Sequence, residues 1–114
     1  MPSAEGFIKA TAGGRFSAVF MIAGLRYNFS GAFTSSAPPY ECRNAVLTYS
    51  DIRTLSSTHN FSGQLGPDTV TLTLDNGPRI SGTLDMPISP GSSVSGSGVW
   101  TQNLDGQKVT YDSD

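Results

Sequence analysis

The sequence predicts an all-β chain: a single small antiparallel β-barrel of eight or nine strands spanning residues 1–114, with a β-sandwich as the alternative. Three observations carry this. No window long enough for a helix places its apolar residues at the helical period. The 13 glycines and 7 prolines recur every few residues and interrupt any helical run. Short stretches instead alternate apolar and polar residues between turn signals, at about ten-residue spacing. Glycines inside these stretches (Gly31, Gly63, Gly82, Gly96) are the device that lets strands coil and close, which favours a barrel over a sandwich.

The elements follow in order. A short strand near Phe7 to Thr11 opens the chain. Ala12-Gly13-Gly14-Arg15 reads as a tight turn and not a phosphate loop, because no helix follows it. The clearest hairpin joins Arg15–Ile22 to Leu25–Thr34 through Ala23-Gly24. A two-residue loop there sets Ile22 opposite Leu25, Phe20 opposite Tyr27, Ala18 opposite Phe29 and Phe16 opposite Gly31, all on one face. Strands are expected at Ala45–Ser50 and Thr58–Leu65. A second hairpin runs Thr69–Asp75 to Arg79–Met86, with Leu74 facing Ile80, Leu72 facing Gly82 and Val70 facing Leu84. A third is expected to turn at Asp105-Gly106, with Trp100 opposite Tyr111. The inward set includes Phe16, Phe20, Phe29, Phe33, Leu47, Phe61, Leu72, Ile80 and Trp100, with Ile22, Leu25 and Met86 also counted inside. Glycines under these rings also leave interior space for a ligand.

Composition narrows the function classes. Seven basic and nine acidic residues give a net charge of −2 without a basic stripe, so no nucleic-acid partner is expected. Charged residues make up only 14% of the chain, and 16 Ser and 11 Thr supply the polar surface. The longest apolar run, Ala18–Ala23, is too short for a membrane span. Met1-Pro2-Ser3-Ala4-Glu5 lacks the basic and apolar regions of a secretory signal. With Cys42 the sole cysteine, no intrachain disulfide forms, and the expectation is a cytoplasmic, reducing compartment. Asn28-Phe29-Ser30 and Asn60-Phe61-Ser62 match the glycosylation pattern by coincidence, since both fall inside strands.

Catalytic signals are thin, and the reading leans away from an enzyme. His59 is the only histidine. Ser95-Gly96-Ser97-Gly98 lacks the strand-turn-helix setting of a nucleophile elbow. One Cys and one His make no zinc site, and no metal or cofactor is implied. The segment from Thr34 to Thr58 has a different character: a rigid Pro38-Pro39 loop, then Tyr40, then Asp51, Arg53 and His59 around the next connection. Long loops in compact domains are often functional. Tyr40, Asp51, Arg53 and His59, with Trp100 as an aromatic face, are the candidate ligand-binding residues. Pro87–Ser93 would form the other lip of a barrel mouth.

Val19 and Met21 sit on the otherwise polar face of the first hairpin, a candidate homo-oligomer interface. Three functions follow as expectations. The first is a non-enzymatic binding module, lectin-like, for carbohydrate or another polar surface ligand. The second is a barrel enclosing an apolar small molecule, as a lipocalin-like binder or an enzyme acting on it. The third is a structural protein that forms oligomers.

Overall fold

A computed structural model describes residues 2–11, 13–34 and 39–104. These form eight strands: β1 (Ser3–Ala10), β2 (Arg15–Ile22), β3 (Leu25–Phe33), β4 (Tyr40–Thr48), β5 (Thr58–Leu65), β6 (Thr69–Leu74), β7 (Arg79–Thr83) and β8 (Ser92–Leu104). One 3-10 turn, Ile52–Thr54, lies between β4 and β5. No helix among the described residues is long and apolar enough to cross a membrane.

The strands close into an antiparallel barrel in the order β1-β2-β3-β8-β5-β6-β7-β4, and β4 pairs back onto β1. Each half of the chain is a three-strand meander whose fourth strand returns beside its first: β4 beside β1, and β8 beside β5. That is the Greek-key order, used twice. Closure removes free sheet edges along most of the wall. The Asn-Phe-Ser-Gly segments of β3 and β5 flank β8 on either side.

The first hairpin has the expected register throughout, from Ile22 opposite Leu25 to Phe16 opposite Gly31. Ala23 (φ 51°) and Gly24 (φ 82°) both adopt left-handed conformations, as a two-residue hairpin turn matched to the strand twist requires.

The second hairpin departs from expectation by two residues. Leu72 pairs with Ile80 and Val70 with Gly82. The loop is Asp75-Asn76-Gly77, closed by Leu74 N–H donating to Pro78 O (2.8 Å) and Gly77 N–H donating to Leu74 O (3.1 Å). Gly77 at φ 119° takes the left-handed bulge position of a three-residue loop. A shift of two keeps each side chain on its face, so the inward set survives the correction.

Strand β4 begins at Tyr40, five residues before the expected start. A β-bulge hides this in the sequence: Gly6 pairs with Ala45 but Ile8 with Cys42, so Arg43 and Asn44 together oppose Phe7. The extra residue breaks the alternation of two. Strand β1 likewise starts earlier, at Ser3. The turn at Asp105-Gly106, with its Trp100–Tyr111 pairing, lies outside the described residues. Trp100 is opposite Phe29 across β3 and β8.

Aromatic rings fill the interior. Phe16 packs against Phe29, Phe33 and Phe61 with centroids 5.2–5.8 Å apart, and Phe29 lies 4.9 Å from Trp100. The in-strand glycines do not leave open space. A Cβ on Gly31 would strike the Ser97 carbonyl, and one on Gly96 would meet the Phe61 ring. The glycines allow close approach of strand to strand and ring to backbone, the coiling role and not the cavity role. Met86, expected inside, is 77% exposed, because the chain leaves the sheet after Thr83.

Candidate functional site

The strand directions define two barrel ends. At one end lie Ala10, Phe16, Phe33, Tyr40 and Leu65. At the other lie Ser3, the Ala23-Gly24 turn, Thr48 and Thr58. Tyr40 starts β4 and Asp51 follows it, so the strand carries the two to opposite ends. The predicted ligand set is therefore split.

At the far end, Asp51 caps the Ile52–Thr54 turn through Arg53 N–H (2.9 Å) and holds the Arg53 guanidinium at 2.7 Å. That hydrogen bonding pulls the Asp51 carboxyl down to about 2, and both groups stay solvent-exposed. His59 bridges two acceptors: Nδ1 lies 2.8 Å from Asp75 Oδ1, and Nε2 lies 2.8 Å from Ser56 O. A ring protonated on both nitrogens donates to both. The His59 contact, then the Asn60 N–H, hold the Asp75 carboxyl below its ordinary value. Asn76 Nδ2 donates to Thr54 O at 3.0 Å, the main-chain N–H of Trp100 donates to Ser57 O at 3.0 Å, and Leu55 is wholly buried beneath the loop. These polar groups are spent on fastening the 49–57 connection. Trp100 is 5% exposed and packs inward, so its face is not offered to solvent.

The near end carries a groove. Its walls are Lys9 and Ala10 from β1, Pro39, Tyr40 and Glu41 entering β4, and the strap Asp85–Ile88, around a volume of about 440 Å³. The lining is mostly apolar, from Ala10, Pro39, Met86, Pro87 and Ile88. Lys9, Glu41 and Asp85 bring charge.

The strap is tied on both sides. Asp85 N–H donates to Glu41 O (2.9 Å), and Asp85 accepts from Arg43 Nε (2.9 Å) and Arg43 N–H (3.2 Å). Ile88 N–H donates to Pro67 O at 2.9 Å. Gly66 passes so close to Ile88 O that no Cβ fits between them. The groove is therefore framed by backbone contacts and not by free loop ends.

Tyr40 is the chemical centre of this end. Its ring is 7% exposed and packs 6.2 Å from Phe33. Its hydroxyl is buried and has no hydrogen-bond partner among the described residues. Burial first, and Cys42 second, push the phenol well above its ordinary value, so it stays a neutral O–H donor. Leaving such a hydroxyl unpaired costs about 1–3 kcal/mol. The other orphaned polar atoms, Asn28 Oδ1 and Trp100 Nε1, do not belong to residues lining the groove.

Of the predicted ligand set only Tyr40 lines this groove, together with Pro87 and Ile88; Lys9, Asp85 and Met86, which also line it, were not among the predicted site residues. The run Asp85-Met86-Pro87, a lone apolar residue between two turn formers, was the available signal. No group of three or more metal-ligating side chains is present among the described residues. Comparison with protein-family models, with curated proteins and with solved structures gave no match.

Proposed function

We propose that the protein is a non-enzymatic binding barrel whose Tyr40 groove takes a compact, uncharged, hydroxylated ligand of the size and chemistry of a sugar ring. The observation that carries the reading is that Tyr40, whose buried hydroxyl is unpaired among the described residues, lines an otherwise largely apolar groove. A ligand oxygen that accepts from Tyr40 removes the desolvation penalty the apo protein bears. The apolar lining suits the C–H face of such a ring, and Glu41, Asp85 and Lys9 at the rim suit its remaining hydroxyls.

Binding is favoured over catalysis because the polar groups are fixed rather than poised. Tyr40 is held un-ionised, and Asp85 is held by Arg43. The groove is favoured over the interior because the barrel core is occupied by Phe16, Phe29, Phe33 and Phe61. The site departs from an aromatic stacking platform, since Trp100, Tyr27, Tyr40 and Tyr49 are all buried.

The test is calorimetric titration of a panel of methyl glycosides and their deoxy analogues into the wild-type protein and Tyr40→Phe. A glycoside that binds the wild type and weakens on Tyr40→Phe supports the reading. Equal affinity for both proteins, or no binding across the panel, overturns it.

A further inference from the structure

The outer wall of the barrel is not uniform. Across β5 and β6 it carries Ser62, Gln64, Thr71 and Thr73, paired hydroxyl to hydroxyl or amide. Across β4, β1 and β2 it carries exposed apolar side chains among the polar ones. Phe7 is 45% exposed, Met21 38% and Val46 37%, and Phe7 pairs directly with half-buried Val19. Val46 pairs with Glu5, which puts it diagonally beside Phe7. The bulge sets two residues, Arg43 and Asn44, against Phe7 on the β4 side, so Phe7 has no one-to-one partner there. An apolar cluster of this kind on one wall is a candidate association surface.

The charges around it indicate what covers it. On β1 the outward residues run Glu5, Phe7, Lys9, so the aromatic ring lies midway between one negative and one positive side chain. Neither charged side chain has a hydrogen-bond or ion-pair partner among the described residues. A two-fold axis that lies in the interface over Phe7, parallel to the wall and at right angles to β1, sets two walls face to face and runs the two copies of β1 antiparallel. It stacks Phe7 on Phe7 of the partner subunit and sets Glu5 opposite Lys9 of the partner subunit, twice. The pattern is self-complementary, as a two-fold interface requires.

We infer that the β4–β1–β2 wall is the seat of a second copy of this chain, in an antiparallel two-fold dimer centred on Phe7 with reciprocal Glu5–Lys9 pairs. The inference does not rest on the ligand reading, although Lys9 also lines the groove, and its readout is subunit number and not ligand affinity.

The test is sedimentation velocity of the full chain over a concentration series, with circular dichroism to confirm that each variant folds. The wild type is expected to dimerise reversibly, and Phe7→Ser to be monomeric. Glu5→Lys and Lys9→Glu, each alone, set like charges together and should weaken dimerisation at least tenfold. The double variant Glu5→Lys/Lys9→Glu restores the pairing and should recover dimerisation to within about threefold. A monomeric wild type at millimolar concentration overturns the inference, whatever other partner the wall has. So does a dimer indifferent to Phe7→Ser, or a folded double variant no better than the singles.

Discussion

Replacing Tyr40 by Phe deletes one oxygen from a buried site and leaves the ring in place. At an ordinary buried tyrosine the change breaks a hydrogen bond and lowers stability by about 1 kcal/mol. Here the hydroxyl has no partner among the described residues, so the change removes a desolvation penalty instead. The ring keeps its contact with Phe33, 6.2 Å away, and no cavity larger than one oxygen opens. The expected effect on the ligand-free protein is stabilisation by about 1 kcal/mol, the low end of the penalty for an unpaired buried group. For a domain of this size that corresponds to a rise in Tm of roughly 4 °C. The same substitution removes a neutral hydrogen bond from any complex that uses it. Affinity should then fall by roughly 2- to 12-fold, from about 0.5–1.5 kcal/mol. Urea unfolding and scanning calorimetry on the ligand-free proteins give the first number, and calorimetric titration gives the second. A Tyr40→Phe protein destabilised by about 1 kcal/mol would show that the hydroxyl already has a partner. The reasoning that ties it to a ligand would then fail.

Three further outcomes test the fold. Gly31→Ala drives a methyl into the Ser97 carbonyl and should cost about 1–3 kcal/mol in urea unfolding, whereas Gly24→Ala meets no atom and should cost only about 1 kcal/mol of backbone strain. Phe29→Ala removes a fully buried ring from the aromatic cluster and should cost about 3–5 kcal/mol, a large share of the stability of a domain this size. The folded state holds the Asp75 carboxyl below its ordinary value through His59, so its contribution to stability is complete above the unfolded value of about 3.9 and is lost as pH falls through the lower folded value. Thermal melts from pH 7 to pH 2 should therefore show Asp75→Asn less stable than wild type near neutrality, and the gap closing in acid.

What could be read in the sequence depended on whether two independent signals agreed. At the first hairpin the turn residues Ala23-Gly24 and the row of inward side chains both require one register, and the structure has it. At the second, the side-chain pattern fixes the face but not the position along it. Only the closure of the loop on Pro78 decides between registers two residues apart. The early half of β4 was hidden because the bulge at Arg43 and Asn44 interrupts the alternation. Tandem Greek-key order was not legible either, since it depends on which distant strands pair.

The candidate site shows the same limit. Tyr40, Asp51 and Arg53 are close in sequence, but a nine-residue strand separates them. At about 3.3 Å per residue that strand spans the barrel wall, so neighbours in the chain lie on opposite rims. Lys9, Asp85 and Met86, distant in sequence, meet Tyr40 because β1 pairs with β4 and because Arg43 binds Asp85. That the Tyr40 hydroxyl is buried and unpaired among the described residues follows only from packing.

The most direct test of the Tyr40 groove as the binding site uses two methionine methyl groups as reporters. Met86 lines the groove, and Met21 lies on the outer wall of β2, away from it. Methyl-labelled protein is titrated with the methyl glycoside that binds best in the panel, at a fixed protein concentration. The account predicts a saturable shift of the Met86 methyl signal with Met21 unmoved, and loss of that shift in Tyr40→Phe. Saturable binding that leaves Met86 unmoved, or that moves Met21 instead, would contradict it.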